Sequence, residues 1–85
     1  MPSEQETISA VIDKAMRDAA RVNPRLFDWL RSEKASSDED ALSRLWLGLG
    51  PGLQHGHLLK AASGDTALVD GATAFLNRSE DGGGN

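Results

Sequence analysis

The sequence predicts an all-α fold, a compact bundle of four to five short helices. Apolar residues recur at helical spacing along the first quarter of the chain, and no stretch alternates apolar and polar residues as a strand does. Helix-capping and helix-breaking residues divide the rest into short segments. We expect one helical domain over residues 1–79 and a disordered tail over 80–85, which is rich in glycine.

The first predicted helix spans residues 3–22. Ser3 and Glu6 have the spacing of a capping box at its start. Its apolar residues share one face, as expected of an amphipathic helix, and they are Ile8, Val11, Ile12, Ala15, Met16, Ala19 and Val22.

The second predicted helix spans residues 24–34 and begins at Asn23-Pro24. Asparagine is a good N-cap, and proline is favoured at the first helical position. Three residues are expected to point inward, with Trp29 at the edge of their stripe: Leu26, Phe27 and Leu30.

The third predicted helix spans residues 38–48. Ser37 precedes three acidic residues, which favour the positive end of a helix dipole. Its inward stripe comprises Ala41, Leu42, Leu45, Trp46 and Leu49, although Leu49 could already follow the helix end. Leu47 lies on the opposite side of the helix from this stripe.

Two further helices follow a glycine-rich break over residues 48–52. The fourth, over 52–62, would bury Leu58, Leu59 and Ala62 together with His55, leaving His57 in solvent near Lys60. The fifth, over 66–78, has Asp65 as its N-cap. Its apolar face comprises Leu68, Val69, Ala72, Phe75 and Leu76, and small residues beside that face (Ala67, Gly71 and Ala74) would admit a close helix of the same chain or of a second copy.

Composition narrows the function classes. The chain has no cysteine, so disulfide and thiolate chemistry are excluded. It has no apolar run long enough to cross a membrane, and its first residues lack the features of a secretion signal, so we expect a cytoplasmic protein. A chain of 85 residues has little material for a pocket with supporting residues around it, so we expect no enzyme activity and no cofactor. Frequent Ala, Gly and Arg indicate a bacterial or phage origin.

Charge is distributed unevenly along the chain. Residues 1–40 carry six basic and nine acidic side chains, whereas residues 41–79 carry only five charged side chains. Helices 3–5 could therefore form the centre of the fold, with helices 1 and 2 wrapped around them. Alternatively, another chain could cover part of this half, because interface centres are depleted in charge.

Candidate chemical motifs are weak. His55 and His57 would point to opposite sides of a helix, so we predict no metal site. The glycines of residues 48–56 fit neither common phosphate-binding pattern, and no strand precedes them. The chain shares small size, acidity and helicity with acyl carrier proteins but lacks their Asp-Ser-Leu motif, so no family is assigned.

The sequence therefore predicts a non-catalytic protein–protein interaction module, acting as a small regulator, adaptor or inhibitor through the charge-poor face of residues 41–79. The partner is another protein, a second copy of the chain, or both. The predicted contact residues are Trp29, Arg44, Trp46 and Leu47.

A helix-turn-helix DNA-binding regulator is the alternative. Helix 4 would then present Gln54, His55, His57 and Lys60 to DNA. Lys60 carries the only full positive charge of this set, whereas affinity for DNA depends on neutralising phosphates, so we expect nucleic acid to be an unlikely partner.

Overall fold

The computed structural model describes the backbone of residues 4–83 and the side chains of residues 6–78. Five helices make up the described chain, which contains no strand, and the all-α prediction is confirmed. They are α1 (Glu4–Val22), α2 (Pro24–Glu33), α3 (Asp38–Gly48), α4 (Pro51–Ala61) and α5 (Thr66–Gly83). No helix within residues 4–83 combines the length and the apolar character needed to cross a membrane.

The helix starts follow local signals in the sequence. The Asp40 N–H donates to Ser37 Oγ over 3.1 Å, and the Leu68 N–H donates to Asp65 Oδ1 over 3.2 Å. Ser37 and Asp65 are therefore the N-caps of α3 and α5. Asn23 precedes α2 as predicted, but its side chain donates to the Ala19 carbonyl instead of capping α2. The predicted capping box at Ser3 lies outside the described residues.

Helix α3 ends at Gly48 as predicted, whereas α4 begins at Pro51, one residue earlier than predicted, so the break comprises only Leu49 and Gly50. Helix α5 continues to Gly83 instead of ending at residue 78, since no helix breaker interrupts residues 79–81. The predicted disorder of the tail stays a prediction.

Helix α1 lies at the centre of the fold, not at its periphery. It packs against each of the other four helices. Most of its apolar stripe is buried, and the core closes around it with side chains of α3, α4 and α5, chiefly Leu45, Trp46, Leu58, Val69 and Ala72. The interpretation of α1 as a wrapper is therefore wrong, because its stripe packs among buried side chains of three other helices.

Helix α2 is the peripheral helix, and none of its residues is fully buried. Phe27 and Leu30 are half-buried, whereas Leu26 is 43% exposed. The expectation that Leu26 points inward is therefore wrong. Helix α2 packs mainly along α3, so only part of its apolar stripe is covered by other helices.

Gly71 on α5 lies against α1 of the same chain. A Cβ atom added there would stand 3.1 Å from Ile8 Cδ1. Ala67 and Ala74, on either side, are exposed. The small residues of α5 therefore admit a helix of the same chain at Gly71, which is one of the two alternatives that the sequence allows.

Candidate functional site

A groove runs between α5 and the junction of α3 with α4. It consists of two adjoining depressions, of about 560 and 190 Å³, that share Gln54, Leu76 and Asn77. The larger is also lined by Pro51, Gly52, His55, Leu58 and Thr73, and the smaller by Met16, Ser43, Trp46 and Leu47. We call this surface the Leu47 groove.

Leu47 stands at the edge of this groove with 62% of its surface exposed. Trp46, its neighbour in sequence, is only 3% exposed and belongs to the core. Consecutive residues of a helix point about 100° apart, so the helix that buries Trp46 turns Leu47 outward. Trp46 still lines the groove from below, but its ring is not the exposed anchor that the sequence suggested.

Gln54 holds the two helices of the junction together. Its Nε2 donates to the Trp46 carbonyl oxygen over 2.8 Å, and the Leu49 N–H donates to the same oxygen over 3.1 Å. A carbonyl in the last turn of a helix lacks the regular backbone partner four residues on. The bonds from Gln54 and Leu49 therefore satisfy the Trp46 carbonyl. The groove therefore has a fixed edge where α4 begins.

The other two predicted contact residues occupy different places. Arg44 is exposed one turn before the end of α3, and its Nε donates to Asp40 Oδ2 over 3.2 Å. Trp29 is 50% exposed on α2, with Lys34 Nζ 5.7 Å from its ring centroid. Helix α2 contributes no residue to the lining of the Leu47 groove. The structure thus brings Trp46 and Leu47 together and leaves Trp29 apart from them.

Among side chains 6–78, no charged residue lines the Leu47 groove, although Asp, Glu, Lys and Arg make up 26% of the chain. Ser43, His55 and Asn77 supply polar groups at its exposed edges. Such a surface is suited to an apolar segment that needs a few hydrogen bonds, and it lacks the charges that would attract an ionic ligand.

The two histidines have the reverse of their predicted positions. His55 is exposed, whereas the His57 side chain is only 14% exposed. His57 Nδ1 lies 3.0 Å from Asp18 Oδ2, and its ring is tilted against that of Trp46 with 6.4 Å between centroids. His57 lies on the side of α4 that packs against α1, where it contacts Asp18. Within the described side chains, no group of three His, Asp or Glu residues could hold a metal ion.

Asp18 is the centre of a polar cluster that the sequence analysis missed. Its carboxylate accepts hydrogen bonds from Arg21, from His57 and, over 3.4 Å, from Lys60. The bonds from Arg21 and His57 hold the pKa of the Asp18 carboxyl well below its usual range. A carboxylate beside a buried apolar stripe was the available signal, because such a group requires partners.

The DNA-reading side chains of the helix-turn-helix alternative are largely engaged within the chain. Gln54 bonds to the end of α3, and His57 and Lys60 both bond to Asp18. Only His55 of that set carries none of these bonds and stands exposed.

Comparison of the chain with family models, with curated proteins and with solved structures finds no match.

Proposed function

We propose that this protein is a non-catalytic protein–protein interaction module and that the Leu47 groove is its binding surface. The observation that carries the proposal is the 62% exposure of Leu47 beside a groove whose described lining residues include no Asp, Glu, Lys or Arg. Full burial of a large apolar side chain is favourable by roughly 1.5–3 kcal/mol of free energy. Covering Leu47 with a partner would therefore stabilise the complex.

The partner segment best suited to the groove is the apolar face of a helix. A helix laid in the groove would place its aliphatic side chains against exposed Leu47 and half-buried Leu76. Ser43, His55 and Asn77 would then face polar groups along the edges of that helix. Arg44, although paired with Asp40, keeps an exposed guanidinium at the end of α3 for a carbonyl or a carboxylate of the partner.

The interface extends beyond the groove itself. A stable protein–protein interface removes about 800 Å² from each partner, roughly a seventh of the 5631 Å² that this chain exposes. Residues around the groove, with Arg44 first among them, must therefore contribute. Trp29 stays a predicted contact, at a surface separate from the groove.

Photocrosslinking in the cells that naturally produce the protein tests this proposal. A benzophenone amino acid at Ser43 places the reactive group in the groove, and the same residue at exposed Ser9 on α1 is the control. We expect a discrete protein adduct from position 43 and none from position 9. Mass spectrometry of the adduct shows whether the partner is another protein or a second copy.

The variant Leu47→Glu, combined with the crosslinker at position 43, connects the adduct to the groove. We expect a reduction of at least about tenfold, because losing 1.4 kcal/mol of apolar contact changes an affinity tenfold. Leu53→Glu is the matched control, since Leu53 is 61% exposed on α4 and does not line the groove. An absent adduct, or one that Leu47→Glu does not reduce, would overturn the proposal.

A further inference from the structure

A second surface runs along the contact of α1 with α4, and cations gather on it. Lys14, Arg17, Arg21 and Lys60 line a depression of about 370 Å³, and Arg25 lines another nearby. These residues are five of the nine lysines and arginines of a chain whose net charge is −4. We call this surface the α1–α4 seam.

The carboxylate of the seam lies beneath its cations. The Asp18 side chain is 14% exposed, whereas Arg21 and Lys60, which both bond to it, are 67% and 65% exposed. Asp13 is exposed and pairs with Arg17 over 2.9 Å, while Lys14 adds a further exposed cation. The lining of the depression of about 370 Å³ therefore carries four cations and one carboxylate, although the chain as a whole is acidic and Asp13, Asp38 and Glu39 lie near Arg17.

The same surface continues into exposed aliphatic side chains. Asp18 and Lys60 also line a neighbouring depression that contains Val22 and Leu53, which are 51% and 61% exposed. Val22 in turn lines the depression that holds Leu26. Gly52 and Gly56 lie beside Leu53, and a Cβ added at either would meet no atom within 4 Å. This end of the seam is therefore apolar and open to approach.

We infer that the α1–α4 seam binds an acidic amphipathic segment of another protein. Its carboxylates would lie over Lys14, Arg17, Arg21 and Lys60, and its aliphatic side chains over Val22 and Leu53. The cations that line the seam favour carboxylates on the segment, and the three exposed aliphatic residues (Val22, Leu26 and Leu53) favour an apolar face beside them.

A protein segment fits this surface better than a nucleic acid does. Phe and Trp side chains, which stack on bases in single-stranded binding sites, are absent from the described residues that line the seam, and the His57 ring there is only 14% exposed and contacts Asp18 and Trp46. Exposed aliphatic side chains next to the cations would gain nothing from a phosphate backbone.

Amide chemical-shift titration of the ¹⁵N-labelled chain with a synthetic peptide tests the inference. The probe is an acetylated helical peptide of Glu and Leu, with Leu at helical spacing along one face. A peptide of the same composition in scrambled order is the control. We expect saturable shifts confined to residues 14–26 and 52–60, weakened by added salt and smaller with the scrambled peptide.

Two charge-matched and two size-matched variants sharpen the titration. Lys14→Glu should weaken binding about threefold or more, whereas Arg78→Glu, the same charge change on α5, should not. Leu53→Glu should weaken it about tenfold. Leu47→Glu, which removes the contact tested at the Leu47 groove, should leave peptide binding unchanged, so the two proposals fail independently.

Three results would overturn the inference. One is a set of shifts at other residues, or none at all, at millimolar peptide. Another is equal weakening by Lys14→Glu and Arg78→Glu. The third is tighter binding of duplex or single-stranded DNA to the same residues than of the peptide, since this would make the seam a nucleic-acid surface.

Discussion

Asp18 and His57 show what is hardest to read from a sequence at the scale of single residues. Asp18 follows the helical pattern of α1 as a polar residue beside the buried stripe, and nothing in that pattern names its partners. His57 reaches it across 39 positions of sequence. The prediction that His55 is the inward histidine failed because the direction of α4 was inferred from its own residues, without the α1 surface that it packs against.

The Asp18 cluster makes stability depend on pH. Its hydrogen bonds, chiefly from Arg21 and then from His57, lower the pKa of the folded-state carboxyl. In the unfolded chain an aspartate has a pKa of about 3.9. The stabilisation is therefore fully present well above pH 4 and is lost as the pH falls below that value toward the folded-state pKa.

Urea unfolding of Asp18→Asn from pH 7 to pH 2 measures this effect. We expect the variant to be less stable than the natural chain at pH 7, and the difference to shrink below about pH 4. Asp70→Asn, which removes an exposed carboxylate of α5, is the control for loss of charge. A difference that stays constant across this range would show that the ionised carboxylate of Asp18 is not what stabilises the fold.

At the scale of helices, the sequence predicts starts better than it predicts which face is buried. Ser37, Asp65 and Pro24 act locally, so α3, α5 and α2 begin within one residue of their predicted starts. Burial depends on neighbours, which a single helix cannot specify. Helix α1 has the expected stripe because it is surrounded, whereas α2 has a similar stripe and too few neighbours to bury it.

Helix α2 should consequently open most readily. It has no fully buried residue, whereas the middle of α1 has Ala15 and Ala19 at 0% exposure. Local opening exposes little apolar surface when few side chains are buried, so its free energy is low. Native-state amide hydrogen exchange should be at least about tenfold faster in residues 27–33 than in residues 12–19. Equal protection of the two segments would contradict this account of α2.

For the molecule as a whole, the uneven distribution of charge along the sequence predicts a surface with few charges. It does not predict which residues form that surface. The groove is formed by residues of α1, α3, α4 and α5 that lie up to 61 positions apart, from Met16 to Asn77. Leu47 was identified by its position opposite the α3 stripe, and its exposure agrees with that reasoning. Trp46 was not placed correctly, because whether a residue on the stripe is accessible depends on how completely α1 and α4 cover it.

We propose that the protein folds stably without a partner in the Leu47 groove, so that the groove stays free to bind one. The free energy of unfolding of Leu47→Glu, measured by urea titration, tests this most directly. We predict a value within about 0.5 kcal/mol of the natural chain, as for other surface substitutions. Leu45, two positions earlier, is 1% exposed. The variant Leu45→Ala should therefore lower the free energy of unfolding by about 2–5 kcal/mol. A comparable loss in Leu47→Glu would make Leu47 a structural residue and contradict the claim.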